Sequence, residues 1–174
     1  MAKFVKGNGL NAAIESIFDE AESQLTIISP FIQLHNRFIE SLKPKIDNPK
    51  LEVHLVFGKN ESNKSKSMSL QDSEFFKQFA NVKIYYEPRL HAKYYANQNA
   101  AVLSSMNLYK YSQDNNIEFG IVTQRDGLKE KVMGLELDND AWKYFQTVVE
   151  HSKLVYHNEP IYESRMFGLS EKYI

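Results

Sequence analysis

Residues 90–108 read Leu-His-Ala-Lys-Tyr-Tyr-Ala-Asn-Gln-Asn-Ala-Ala-Val-Leu-Ser-Ser-Met-Asn-Leu. Two short β-rich runs, His91 to Asn97 and Ala100 to Ser104, leave no room for a helix between them. A third run, Ile117 to Thr123, follows, so this part of the chain reads as a meander of short strands. In a strand, residues i and i+2 share a face. The pattern therefore predicts that His91 and Lys93 project together, with Ala92 and Tyr94 turned the other way. Ser105 and Asn107 fall where the second strand ends, a common place for binding groups.

Upstream the rhythm is different. Leu10, Ile14, Ile17, Phe18 and Ala21 recur at helical spacing and predict a helix from about Leu10 to Ser23. Gln24 to Ser29 reads as a buried strand ended by Pro30, and a second helix is expected from about His35 to Lys45. Leu51 to Phe57 is the next strand, stopped by Gly58, and residues 59 to 67 have loop composition. A third helix over about Ser69 to Ala80 leads to a strand at Val82 to Tyr86. After the meander, a last helix is expected from about Asp140 to Lys153, with Trp142, Phe145, Val148 and Val149 inward and Asp138-Asn139-Asp140 offering an N-cap. Strand–helix alternation followed by a meander predicts an α/β fold: a mixed sheet flanked by helices on both faces, in a single domain over 1–174.

Composition narrows the setting. The 174 residues are enough for one well-buried core, and 43% hydrophobic content with a mean hydropathy of -0.47 is that of a globular chain. There are no cysteines, which excludes disulfides and thiolate chemistry and fits a reducing cytoplasm, the expected location. No apolar signal core and no run of about 18 apolar residues is present, so no membrane span is expected. The net charge of -1 argues against a large basic footprint but leaves room for a local basic cleft.

The residue types along the meander are those of a phosphate-handling site. An imidazole attacks phosphorus or donates a proton, while a Lys ammonium, an Asn amide and a Ser hydroxyl hold non-bridging oxygens. A carboxylate behind the imidazole fixes its tautomer. Here His91, Lys93, Ser105, Asn107 and Glu118 supply that set in order. A second His-x-Lys, His151-Ser152-Lys153, sits at a helix end, where i and i+2 do not share a face, and no Ser-x-Asn follows it. His35, His54 and His157 read as ordinary structural residues. No metal-ligand spacing, dinucleotide fingerprint, P-loop or Gly-x-Ser-x-Gly is found, so neither metal nor cofactor is expected.

The stretch 90–108 resembles the signature of the phospholipase D superfamily: His-x-Lys, an Asp after four intervening residues, then Gly-Ser-x-Asn. Asn116-Ile117-Glu118-Phe119-Gly120 is similar to the family's Asn-x-Glu strand, and Ile27-Ile28-Ser29-Pro30-Phe31-Ile32 to its first strand and Ser-Pro-aromatic exit. The likeness covers most of residues 10 to 123. It departs at Gln98, where the family has its Asp, and at Ser104, where it has Gly, and the loop between is one residue shorter.

The resemblance implies a phospholipase D-like fold and metal-independent phosphodiester cleavage through a phosphohistidine. Because the chain carries one credible motif, it implies a homodimer in which two His91 side chains meet across a two-fold axis. Catalytic roles are expected for His91, Lys93, Asn107 and Glu118, and phosphate binding for Ser105, Lys93 and Asn107. Lys59, Lys64 and Lys66 in the loop after the second strand, with Arg89 and Tyr109, suit a nucleic-acid substrate, as do Tyr94, Tyr95 and Tyr111 if they are exposed. The bland reading makes Tyr94 and Tyr95 core residues. Two alternatives stay open: a catalytically weak nucleic-acid or phosphate-ligand binding module, and a phospholipase, although no interfacial amphipathic segment is found.

Overall fold

The structure is a computed structural model that describes residues 2–59, 63–109, 116–124, 137–165 and 170–173. In chain order its elements are β1 (Lys3–Lys6), α1 (Asn8–Asp19), β2 (Gln24–Ile28), β3 (Ile32–Gln33), α2 (Asn36–Leu42), β4 (Glu52–Gly58), α3 (Leu70–Phe76), β5 (Val82–Glu87), β6 (Tyr94–Asn97), β7 (Ala100–Ser104), β8 (Leu108–Tyr109), β9 (Phe119–Gln124), α4 (Leu137–His151), β10 (Lys153–Asn158), β11 (Tyr162–Arg165) and β12 (Ser170–Tyr173).

Eight strands form one mixed sheet in the order β1-β9-β7-β6-β2-β4-β5-β10. β2, β4 and β5 run parallel, while β6, β7, β9 and β1 on one side and β10 on the other pair antiparallel. The period-2 alternation of the strands divides the core in two. Leu25, Ile27, Val53, Leu55, Val82, Ile84, Tyr95 and Val102 face α1, α2 and α3, meeting Leu10, Ile14, Phe18, Phe38, Leu42 and Phe76. Ile28, Val56, Tyr94, Ala96 and Ala101 face α4, meeting Ala141, Phe145 and Val149. The sheet is thus flanked by helices on both faces, as the alternation predicts. Phe18 is fully buried in the first layer, edge-on to Phe38 at 5.1 Å between ring centroids; cutting such a side chain back to Ala costs about 3–5 kcal/mol.

Element boundaries move from the expected ones for identifiable reasons. α1 ends at Asp19 rather than Ser23, because residues 20–23 form a turn whose backbone is bonded to Gln98. α2 is shorter and passes into a 3₁₀ turn at Lys43–Lys45, which carries Pro44. α4 begins at Leu137, so Asp138 lies in its first turn, where its buried carboxylate accepts from the Thr123 hydroxyl. Trp142 and Val148 are partly buried, and Phe145 and Val149 fully so. The stretch from Tyr156 to Ile174 carries no motif in its sequence; β10 joins the sheet edge and β11 pairs with β12, while Met166, Phe167 and Leu169 lie outside the described residues.

Candidate active site

The antiparallel pairing of β6 with β2 sets Tyr94 beside Ile28, so residues 91–93 stand at the end of the sheet where β2, β4 and β5 finish. β7 and β9 bring Ser104 opposite Gly120, which places residues 104–107 and Glu118 at that same end. The C-terminal ends of parallel strands are where open α/β sheets bind ligands. The structure therefore brings His91, Lys93, Ser105, Asn107, Glu118 and Lys59 to one sheet edge.

The strand starts later than expected. His91 and Lys93 lie in the irregular segment before β6, not on it, and Lys93 Nζ turns back to donate to the His91 carbonyl at 2.8 Å. The Lys93 carbonyl accepts from Ser104 N at 3.1 Å, which ties this segment to β7. The His91 side chain is exposed and Lys93 half-buried. Lys93, then Lys59, hold the His91 imidazole below its ordinary pKa, which favours the neutral ring. Burial, then Lys59, lowers that of Lys93, and Glu118 partly offsets this.

Lys59 was expected only as a member of a basic loop. It follows Gly58, where β4 runs so close to β5 that an added Cβ would stand 1.8 Å from the Glu87 carbonyl oxygen. Lys59 itself has φ +91, a left-handed backbone that a Lys rarely adopts. Its ammonium lies 5.9 Å from the centre of the Phe31 ring. Lys64 and Lys66 form a 3₁₀ turn, and Lys64 Nζ sits 4.3 Å from the centre of the Tyr86 ring. Arg89 is exposed and paired through Nε with Glu87 at 3.0 Å.

The loop carrying Asn107 is held from below by two buried hydroxyls that strand patterning did not single out. Ser29 Oγ donates to the Phe31 carbonyl at 2.8 Å and accepts from Leu108 N at 3.0 Å. Tyr95, fully buried, donates to the Met106 carbonyl at 2.7 Å, and burial pushes its own pKa up. Asn107 Oδ1 is buried with no hydrogen-bond partner among the described residues. Orphaned polar atoms are rare in folded chains and are often a mark of function.

Glu118 does not meet His91 within one chain. Its carboxylate accepts from Ser105 Oγ in a short bond and from Asn116 Nδ2 at 3.3 Å. Both departures from the family signature have structural uses. Ser104 Oγ donates to the Phe119 carbonyl at 2.8 Å and accepts from Met106 N at 2.9 Å. Gln98 lies at the far end of β6, where Oε1 accepts from Glu22 N at 3.1 Å and Nε2 donates to the Glu20 carbonyl at 2.8 Å.

Of the tyrosines, Tyr94 and Tyr95 are core, Tyr109 is exposed beside the Asn107 loop, and Tyr111 lies outside the described residues. Among the described residues, no three of His, Cys, Asp and Glu are placed to hold a metal ion. No helix among them is long and apolar enough to cross a membrane.

Comparison with known proteins agrees with this fold. NucT from Helicobacter pylori superposes with a TM-score of 0.66 at 15% identity, over 89% of this chain and 99% of that one. The phospholipase D family member Nuc from Salmonella typhimurium gives 0.62 at 12% identity, over 89% and 99%. The phosphatidylserine synthase of Haemophilus influenzae Rd KW20 gives 0.63 at 14% identity, covering 90% of this chain and 40% of that one. A search of curated proteins finds no match. Residues 14–140 match the family described as "Cardiolipin synthase, PLD-like domain". With that match spanning most of the chain and the expected α/β architecture in place, the protein belongs to the phospholipase D superfamily.

Proposed function

We propose that the chain is a metal-independent phosphodiesterase acting on nucleic acid. The observation that carries this reading is the gathering of Lys59, His91 and Lys93 at one sheet edge, where the nearby carboxylate, Glu118, is bonded to Ser105. Like charges held together are unfavourable until an anion joins them, and perturbed groups of this kind mark functional sites. Asn107 stands on the adjoining loop, where its Nδ2 can donate to a phosphate oxygen.

In the proposed reaction the neutral His91 ring attacks phosphorus. A P–N bond forms, the P–O bond to the leaving group breaks, and the departing oxygen takes a proton from the partner subunit's His91, which enters this step as the imidazolium. That second imidazole then removes a proton from water. The water oxygen attacks phosphorus, the P–N bond breaks, and both rings return to their starting states. Lys93 and the Asn107 amide hold the non-bridging oxygens as charge develops, while Lys59 lowers the His91 pKa. Ser105, whose hydroxyl is engaged by Glu118, serves this reading by fixing the loop.

The two-fold contact is proposed beside Glu118, where Phe4, Ile117 and Phe119 are exposed and Phe4 stacks on Phe119 at 5.8 Å. Nucleic acid is favoured by the cations Lys59, Lys64 and Lys66 and by the exposed ring of Tyr109.

The deciding experiment is cleavage of single- and double-stranded DNA and RNA in excess EDTA, with the native chain and His91→Ala. The expected result is cleavage by the native chain that falls at least about 1,000-fold in the variant. Cleavage by both would remove His91 from the chemistry, and cleavage by neither would favour a phosphate-binding module. In sedimentation the native chain is expected to be a dimer, and Ile117→Asp, at a fully exposed position, a monomer.

A further inference from the structure

The second His-x-Lys, His151-Ser152-Lys153, has a place in the fold that its sequence does not suggest. Lys153 opens β10, but His151, the last residue of α4, lines the same cleft as His91. The cleft has a volume of about 550 Å³ and lies between α4 and residues 87–92, within the size range of small-ligand sites. Leu90, Ala92 and Val148 give it an apolar floor; Glu87, Arg89, Thr147 and His151 give it a polar rim; Tyr144 supplies an aromatic wall.

Its walls are rigidly mounted. Phe145 stacks on Tyr94 of β6 with ring centroids 4.1 Å apart and planes 14° apart, which fixes α4 against the strand that His91 precedes. Tyr144, still 62% exposed, stands edge-on to Phe145 at 5.1 Å. Glu87 Oε1 accepts from both the backbone N and Nε of Arg89, at 2.9 and 3.0 Å, and keeps the guanidinium at the rim. His151 Nδ1 lies 2.8 Å from the Thr147 carbonyl oxygen. A carbonyl only accepts, so Nδ1 carries the proton, and in the neutral ring Nε2 is left as an acceptor.

We propose that this cleft receives the nucleoside next to the scissile phosphate, with its base on the Tyr144 ring and a donor group on His151 Nε2. The inference rests on the reading of the chain as a nucleic-acid phosphodiesterase and deepens it. A phosphate at His91 carries its flanking sugar and base toward the cleft that His91 lines. An aromatic wall with a hydrogen-bonding rim suits a base, which has a π-face and polar edges. A lipid tail would call for a long apolar groove, whereas here the apolar floor is short and bordered by charged and polar groups.

The test is fluorescence anisotropy of a labelled single-stranded DNA tetranucleotide with phosphorothioate linkages, in EDTA, with the full chain and its Tyr144→Ala and His151→Ala variants. Tyr144 and His151 are exposed, so their truncation leaves the fold intact. Loss of one stacked base predicts binding about tenfold weaker in Tyr144→Ala, with an unchanged salt dependence because no phosphate contact is removed. His151→Ala is expected to weaken binding about threefold, the loss of one hydrogen bond. Equal affinity in all three proteins, or no binding by the native chain, overturns the proposal. So does binding to phosphatidylglycerol vesicles, but not to the oligonucleotide, that depends on Tyr144. The outcome of the His91→Ala cleavage assay is independent of this binding test. Oligonucleotide binding that needs Tyr144, without His91-dependent cleavage, supports the cleft and sinks the catalytic reading.

Discussion

The two ends of β6 carry polar residues of similar size and treat them in opposite ways. At one end Asn97 and Gln98 are fully engaged: Asn97 donates to the Ile17 carbonyl and accepts from Asn99 N and Ala100 N, and Gln98 holds the turn after α1. At the other end Lys59 lowers the pKa of both His91 and Lys93, and Asn107 on the neighbouring loop keeps a buried oxygen without a partner among the described residues. Satisfied polar groups stabilise a fold, whereas unsatisfied ones and like-charge clusters persist where a ligand or a reaction uses them. One of the departures from the family signature, Gln98, lies at the satisfied end, where its amide holds the turn after α1.

That contrast is open to direct attack. Lys93→Met is expected to lower the rate of phosphodiester cleavage about 100- to 1,000-fold, since it removes a charge that stabilises the transition state. Thermal unfolding should barely move; a large fall in the unfolding midpoint would make Lys93 structural. Ser29→Ala leaves Leu108 N buried without its acceptor and should destabilise the chain by about 1–3 kcal/mol in urea titration. Cleavage should also weaken, because the Asn107 loop loses its support. Gln98→Ala is expected to cost about 1–2 kcal/mol and leave kcat unchanged. Gln98→Asp, which restores the family residue, should bring no gain in rate, and a clear gain would end the assignment of this end of β6 to structure. The smallest effect is expected from Lys59→Met. Lys59 is one of two cations that lower the His91 pKa, so its loss lets that pKa rise and moves the acidic limb of the pH–rate profile to higher pH, by less than about one unit. A limb that stays in place, or moves to lower pH, would separate Lys59 from His91.

Much of the fold is legible because burial imposes periodicity. Leu10, Ile14, Ile17 and Phe18 announce α1, and the runs at 24–28, 52–58 and 82–87 announce strands because both their faces are covered. β1 and β10 are not legible for the converse reason. Only Val5 is buried in the first and no residue in the second, so neither carries the run of buried residues that announces a covered strand. The candidate site residues are legible as a set of residue types, but not their geometry. Spacing by two puts His91 and Lys93 on one strand face, whereas Lys93 reaches back to the His91 carbonyl before the strand begins. Glu118 is legible as a site carboxylate, yet its bond to Ser105 depends on how β7 and β9 pair. The part played by Lys59 follows from a left-handed backbone and a β4–β5 approach that only Gly58 allows, and neither is written in residue type alone.

The placing of β1 and β10 at the two margins of the sheet also has a consequence for how the molecule is made. Phe4 pairs with Ile121, and Leu154 with Tyr85, so both margins close through partners far apart along the chain. During synthesis the parallel centre of the sheet is complete before either margin is covered, and loop closure over such distances is slow. A nascent chain paused before residue 119 would present the β7 edge, with its Ala-Ala-Val-Leu run, to any neighbouring strand. The rate at which the ribosome delivers β9 and β10 therefore sets the interval in which this sequence is most exposed to aggregation.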